Sequence, residues 1–126
     1  MNKRELINKA DTLFAKQVKC KGSRNGYNYC YTCGALLPVS KLQCGHFYSR
    51  RFYSTRWDFD NARPQCFNCN VNLKGNLKIF AEKLKDEIGE QQFYELTNKA
   101  KQLHKLTISE LEYVILNLIN LNINEN

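Results

Sequence analysis

No run of apolar residues in this 126-residue sequence approaches the length that crosses a bilayer. The opening segment, MNKRELINKADTLF, also lacks the continuous apolar core of a secretory signal. Both absences point to an intracellular, cytoplasmic chain without a membrane partner. There is no internal repeat, and 43% hydrophobic residues supply one modest core rather than two, so residues 1–126 read as a single domain. Acidic residues are scarce where basic ones are dense. Residues 1–85 hold sixteen Lys or Arg against five Asp or Glu, a net of +11, whereas residues 86–126 hold three against seven, a net of −4. The first part therefore expects a polyanion, because lysines and arginines that neutralise phosphates gain affinity by releasing counterions. Histidine is scarce too, with only His46 and His104.

Cysteine is not scarce, but its placement argues against a secreted disulfide framework. Four of the six cysteines form two C-x-x-C knuckles, Cys30 with Cys33 and Cys66 with Cys69, separated by thirty-two residues. Two such knuckles supply four thiolates to one tetrahedral zinc ion, a closed structural site with no open position for substrate. In small zinc modules a site of this kind contributes roughly 10 kcal/mol or more of folding free energy.

Between the knuckles stand His46, then fourteen residues, Asn61, and eight residues further, directly after the second knuckle, Asn70. If zinc ties the knuckles together, the strand carrying His46 lies across the helix that starts near Cys69, and His46 faces Asn70. Hydrolysis of a phosphodiester needs a base, a cation to neutralise charge on the phosphate, and groups that hold the bond in line. His46 suits the base, since an imidazole titrates near neutral pH. The carboxamide oxygen of Asn70 suits a hard cation such as Mg2+ or Mn2+, although asparagine there could also cap the helix. Asn61 is expected to hold the loop before the second knuckle and to orient the imidazole by a hydrogen bond.

The remaining chain reads as mostly helical. Leu6, Ile7, Ala10, Leu13, Phe14 and Val18 recur at helical spacing and predict a helix over 2–18. Residues 35–47 predict a hairpin with its turn at 38–41, and 48–60 a long connection rich in arginine and aromatics. A helix should open at Cys66 and break at Lys74-Gly75-Asn76. Further helices are expected over 77–88, 91–103 and 107–121, the last capped by Thr107 or Ser109. The N-terminal helix and loop (1–26), a zinc-stapled core (27–76) and C-terminal helices (77–126) make up the domain. Arg50, Arg51, Arg56, Arg63, Lys74 and Lys78 are the candidate DNA contacts, with bidentate arginine on phosphate as the physical basis. The apolar stripe of the last helix serves either to pack on the first helix or to form a homodimer.

These residues carry a family resemblance. The order and spacing of His46, Asn61 and Asn70 resemble the HNH, or ββα-metal, nucleases, which implies an α+β fold with a small zinc-stapled ββα-metal core and flanking helices. The string C-x-x-C-G, GHF-x-S-R, R-W-D-x-D-N, QC-x-x-CN and GN is similar to the phage NinG (Rap) recombination proteins over roughly residues 28–95. That resemblance implies a metal-dependent endonuclease acting on branched DNA, such as Holliday junctions and D-loops. One departure matters. Many HNH enzymes place Asp or His immediately before the base histidine as a second metal ligand, and here that position is Gly45. Asp58 is the nearest replacement expected, beside Asn70, as a magnesium ligand. The competing readings are an HNH enzyme of ordinary duplex DNA and a non-catalytic zinc module that binds nucleic acid.

Overall fold

The computed structural model describes residues 1–125. Helix α1 (Lys3–Cys20) opens on Asn2, whose side chain accepts the Glu5 amide at 2.9 Å and satisfies one of the helix's free donors. Leu6, Ala10, Phe14 and Val18 form its buried stripe, spaced by four residues. Helix α5 (Ile108–Glu125) returns at the other end of the chain and lays Leu111, Ile115 and Leu118 against that stripe. Burying Phe14 or Leu111 stabilises the pair by about 2 kcal/mol each. The start of α5 is a reciprocal cap. Glu110 N–H donates to Thr107 Oγ1 at 3.1 Å, and Thr107 N–H donates to Glu110 Oε2 at 3.2 Å. The packing role expected for α5 is thus the one observed within the chain.

Four short strands lie between these helices: β1 (Tyr27–Tyr29), β2 (Leu36–Pro38), β3 (Gln43–His46) and β4 (Ala62–Gln65). They pair as β1 with β2 and β3 with β4, both antiparallel. The hairpin predicted over 35–47 does not form. Its first arm pairs backward with Tyr27–Tyr29, and its second pairs forward with Ala62–Gln65. The reason is local. The first knuckle is itself the turn of a hairpin, with Cys30 N–H donating to Ala35 O at 2.9 Å and Gly34 at φ +80°. Val39–Lys41 form a 3-10 turn, which carries the chain onward rather than back.

The connection between β3 and β4 holds the one-turn helix α2 (Tyr53–Arg56) and a 3-10 turn at Phe59–Asn61. After β4 the helix expected from Cys66 is only a π-helical turn, Asn68–Asn72. It ends at Lys74, Gly75 and Asn76, all with positive φ. Helices α3 (Leu77–Ile88) and α4 (Glu90–Lys101) follow, split at Gly89 as expected. Phe80, Leu84 and Leu96 pack there with Phe47, Tyr48 and Tyr31, joining the helices to the strand region. The fold is α+β with small two-stranded sheets, and among the described residues no helix is long and apolar enough to cross a membrane.

Candidate functional site

The two knuckles meet. The sulfurs of Cys30, Cys33, Cys66 and Cys69 all lie within 4.8 Å of one another, so the four can hold one metal ion such as zinc. Cys33 Sγ and Cys66 Sγ are 3.8 Å apart, which is about the edge of a tetrahedron built on zinc–sulfur bonds of about 2.3 Å. Burial would push the Cys30 thiol up, but hydrogen bonds from the backbone of Cys66, Cys33 and Thr32 and from the Thr32 hydroxyl hold it down to about 6. Its neighbours shift the other way, Cys33 up to about 12 and Cys66 upward too, each raised by burial and by the adjacent sulfurs, so the geometry rather than the thiol acidity makes the case for a metal. The clamp joins the tip of the β1–β2 hairpin to the turn that follows β4.

A cavity of about 400 Å³ opens beside it, lined by Asp11, Ala15, Cys44, His46, Ser49, Arg50 and Asn70. His46 and Asn70 thus line one cavity. The ring of His46 donates from Nε2 to the backbone carbonyl of Arg56 at 2.8 Å. A carbonyl only accepts, so the proton of the neutral ring sits on Nε2 and the lone pair on Nδ1. Burial is the main cause that pulls the imidazole below its usual value of about 6.5. His46 is consequently uncharged at neutral pH. Asn70 does not cap a helix; its amide nitrogen donates to Gln43 Oε1 at 2.8 Å, which leaves the carboxamide oxygen for another partner. Cys44, in the same cavity, is raised to about 12 by burial, so it stands there as an inert thiol.

Asn61 lies fully buried behind the cavity wall. Its amide nitrogen donates to Tyr48 O and Thr55 O at 2.9 and 3.1 Å, and its oxygen accepts the Tyr48 amide at 2.8 Å. It therefore holds the connection, but the imidazole's own hydrogen bond goes to Arg56 O instead.

The structure separates the other candidates. Asp58 lies away from His46, in a cavity with Tyr53, Lys99 and Glu110, where it accepts the Asp60 amide and pairs with Lys99 at 2.9 Å. Position 45 cannot supply a ligand either. A Cβ there would sit 2.0 Å from Gln65 Oε1, and strand alternation turns the position away from the cavity faced by Cys44 and His46. Arg56 and Arg63 are structural anchors, each with a side chain only 14% exposed. Arg56 clamps Asp11, and Arg63 binds Glu87 and stacks over Tyr31 with 5.4 Å between guanidinium and ring. Arg50, 3.6 Å from Asp11 Oδ2, keeps a side chain 62% exposed, and Arg51, Lys74 and Lys78 are exposed as well.

Sequence reasoning missed Asp11. The signal was present, since Glu5 and Asp11 are the only carboxylates in the first fifty-seven residues and Asp11 borders the apolar stripe of a basic helix. The family model described as bacteriophage Lambda NinG protein matches residues 1–121. Comparison with curated proteins and with solved structures finds no match for the chain.

Proposed function

The chain belongs to the NinG family, and from that premise and the cavity's geometry we propose that it is a divalent-metal-dependent DNA endonuclease of the HNH type. The observation that carries the proposal is the shared cavity. One wall presents a neutral imidazole with its lone pair on Nδ1, and another presents a carboxamide oxygen, both beside the four-cysteine clamp. In this reading Nδ1 of His46 takes the proton of a water whose oxygen attacks phosphorus, while the opposite phosphorus–oxygen bond breaks. Arg50 binds a non-bridging oxygen of the scissile or a neighbouring phosphate. Asn70 would hold a hard cation such as Mg2+ or Mn2+ together with the phosphate and water, and the cation would supply charge neutralisation there. Asn61 keeps the connection that carries Ser49 and Arg50 in place. Branched DNA is the substrate implied by the family resemblance.

Nicking of a plasmid with and without Mg2+ or Mn2+ tests the activity, and cleavage of a four-way junction against a linear duplex of equal length tests the substrate. His46→Ala should abolish cleavage with zinc content and DNA binding intact. Unchanged cleavage by that variant would falsify the mechanism. One observation favours a second reading, a zinc module that binds DNA without cutting it. Position 45 has no room for a ligand, Asp58 lies elsewhere and Asp11 is held by Arg56 and Trp57, so of the groups expected to hold the catalytic cation only the Asn70 oxygen remains in the cavity. Absence of nicking with either cation, together with salt-dependent binding, selects that reading. A homodimer belongs to the first reading, because cutting both strands of a symmetric junction takes two sites related by a two-fold axis, and α5 exposes Ile108, Tyr113, Leu116 and Leu121. A solution mass of one chain at working concentration removes it.

A further inference from the structure

Helix α2 is a single turn, and a helix so short has almost no stability of its own. The carbonyl that holds His46 is that of Arg56, the last residue of this turn, so its position must be set by tertiary contacts. Asn61 supplies one at Thr55 O, and Asp11, from α1, supplies those to the residues that flank the carbonyl. Its Oδ1 accepts Arg56 Nε and Trp57 Nε1, both at 3.0 Å, and its Oδ2 accepts Arg56 Nη2 at 2.6 Å. Arg56 and Trp57 flank the peptide group whose oxygen receives the imidazole. One carboxylate therefore grips the side chains on both sides of that peptide. Arg56 Nη1 also donates to Arg50 O at 2.9 Å, which ties the same guanidinium to the loop carrying the exposed Arg50.

We propose that Asp11 is a positioning residue for the base: through Arg56 and Trp57 it fixes the carbonyl that holds His46 Nε2 and thereby aims Nδ1 into the cavity. The proposal rests on the nuclease reading for its catalytic consequence, though not for the hydrogen-bond chain itself. Asp11 is not the missing metal ligand, although it lines the cavity. Its oxygens already serve three donors, and Arg50 Nη1 stands 3.6 Å from Oδ2, so a divalent cation there would face two guanidinium groups. The pair is also largely shielded from solvent, with side chains 14% and 19% exposed, which makes its bidentate geometry worth more than that of a surface pair.

The test reads the ring and the reaction separately. Histidine is labelled with 15N in the full-length, zinc-loaded chain, and the two residues are assigned with His104→Gln. The wild-type His46 should show a single tautomer with a slowly exchanging Nε2 proton. In Asp11→Ala that proton should exchange freely and both tautomers should appear, while kcat falls between about tenfold and a hundredfold and KM for DNA stays within about twofold. Asp11→Asn keeps one oxygen acceptor but loses the two-point grip, and should give an intermediate loss of both signals. It decides the matter by the same readouts if Asp11→Ala does not fold. An unchanged Nε2 proton in the variants overturns the proposal. A wild type that cuts no DNA overturns the nuclease reading instead, and the ring signals then decide the positioning claim alone.

Discussion

Gly45→Ala is the sharpest perturbation that the structure offers, because it adds one methyl group where no space exists. The new Cβ would lie 2.0 Å from Gln65 Oε1 and 2.6 and 2.8 Å from Cδ and Cγ of the same side chain. Gln65 cannot step aside cheaply. It is fully buried, and its amide nitrogen donates to Thr32 Oγ1 at 3.1 Å and to Gly75 O at 2.9 Å. Overpacking of this kind costs about 1–3 kcal/mol, and displacing the amide forfeits two hydrogen bonds at about 1 kcal/mol each. Gly45→Ala should therefore be about 3–5 kcal/mol less stable than the parent. The damage should reach the clamp, since the Gly75 amide donates to Cys69 O at 2.9 Å and the Thr32 hydroxyl lies 3.5 Å from Cys30 Sγ. Urea unfolding of the zinc-loaded protein, followed by the fluorescence of Trp57, measures it. The double variant with Gln65→Ala removes the clashing atoms and should recover more than about 1 kcal/mol of the additive expectation. A Gly45→Ala midpoint equal to that of the parent, or strict additivity in the double variant, would refute the packing argument. Gly45→Asp should be worse still, and should install no metal ligand.

Cleavage should hold at neutral pH and decline only below the usual histidine range. Burial lowers the folded-state pKa of His46, so the neutral base persists under about 6.5, and a rate profile falling from pH 8 downward would contradict it. The same shift stabilises the fold above about 6.5 and destabilises it as pH falls, because the unfolded imidazole binds its proton first. Arg50→Ala should weaken DNA binding and flatten the dependence of log affinity on log salt by about 1, as measured by fluorescence anisotropy. Arg63→Ala should instead lower the melting temperature, since its guanidinium is spent on Glu87 and on the carbonyls of Phe59 and Ala62. Removal of zinc by a chelator should abolish cooperative unfolding, with circular dichroism as the readout.

What was legible in the sequence was whatever depends on neighbours along the chain. The knuckles, the stripe of α1, the breaks at Lys74-Gly75-Asn76 and Gly89, and the cap at Thr107 are all local patterns, and each is where its spacing put it. Strand pairing was misread because the first knuckle acts as a hairpin turn, which its zinc signature masked. Asp11, whose one signal was its place beside the apolar stripe of a basic helix, was missed for a different reason. Its partners Arg56 and Trp57 lie more than forty residues away, and on its own turn of helix it resembles any solvated carboxylate. The glycine before His46 looked like a lost ligand, yet Gln65, twenty residues on, explains it through volume alone.

The connection between β3 and β4 is closed at its base by strand pairing and by the three hydrogen bonds of Asn61, while Ser49 to Phe52 at its crown are exposed. Such a loop behaves as a closed ring with a free rim. Insertions and exchanges at the rim should leave the foundations undisturbed, so the exposed surface there can vary while the cavity beneath it keeps its geometry.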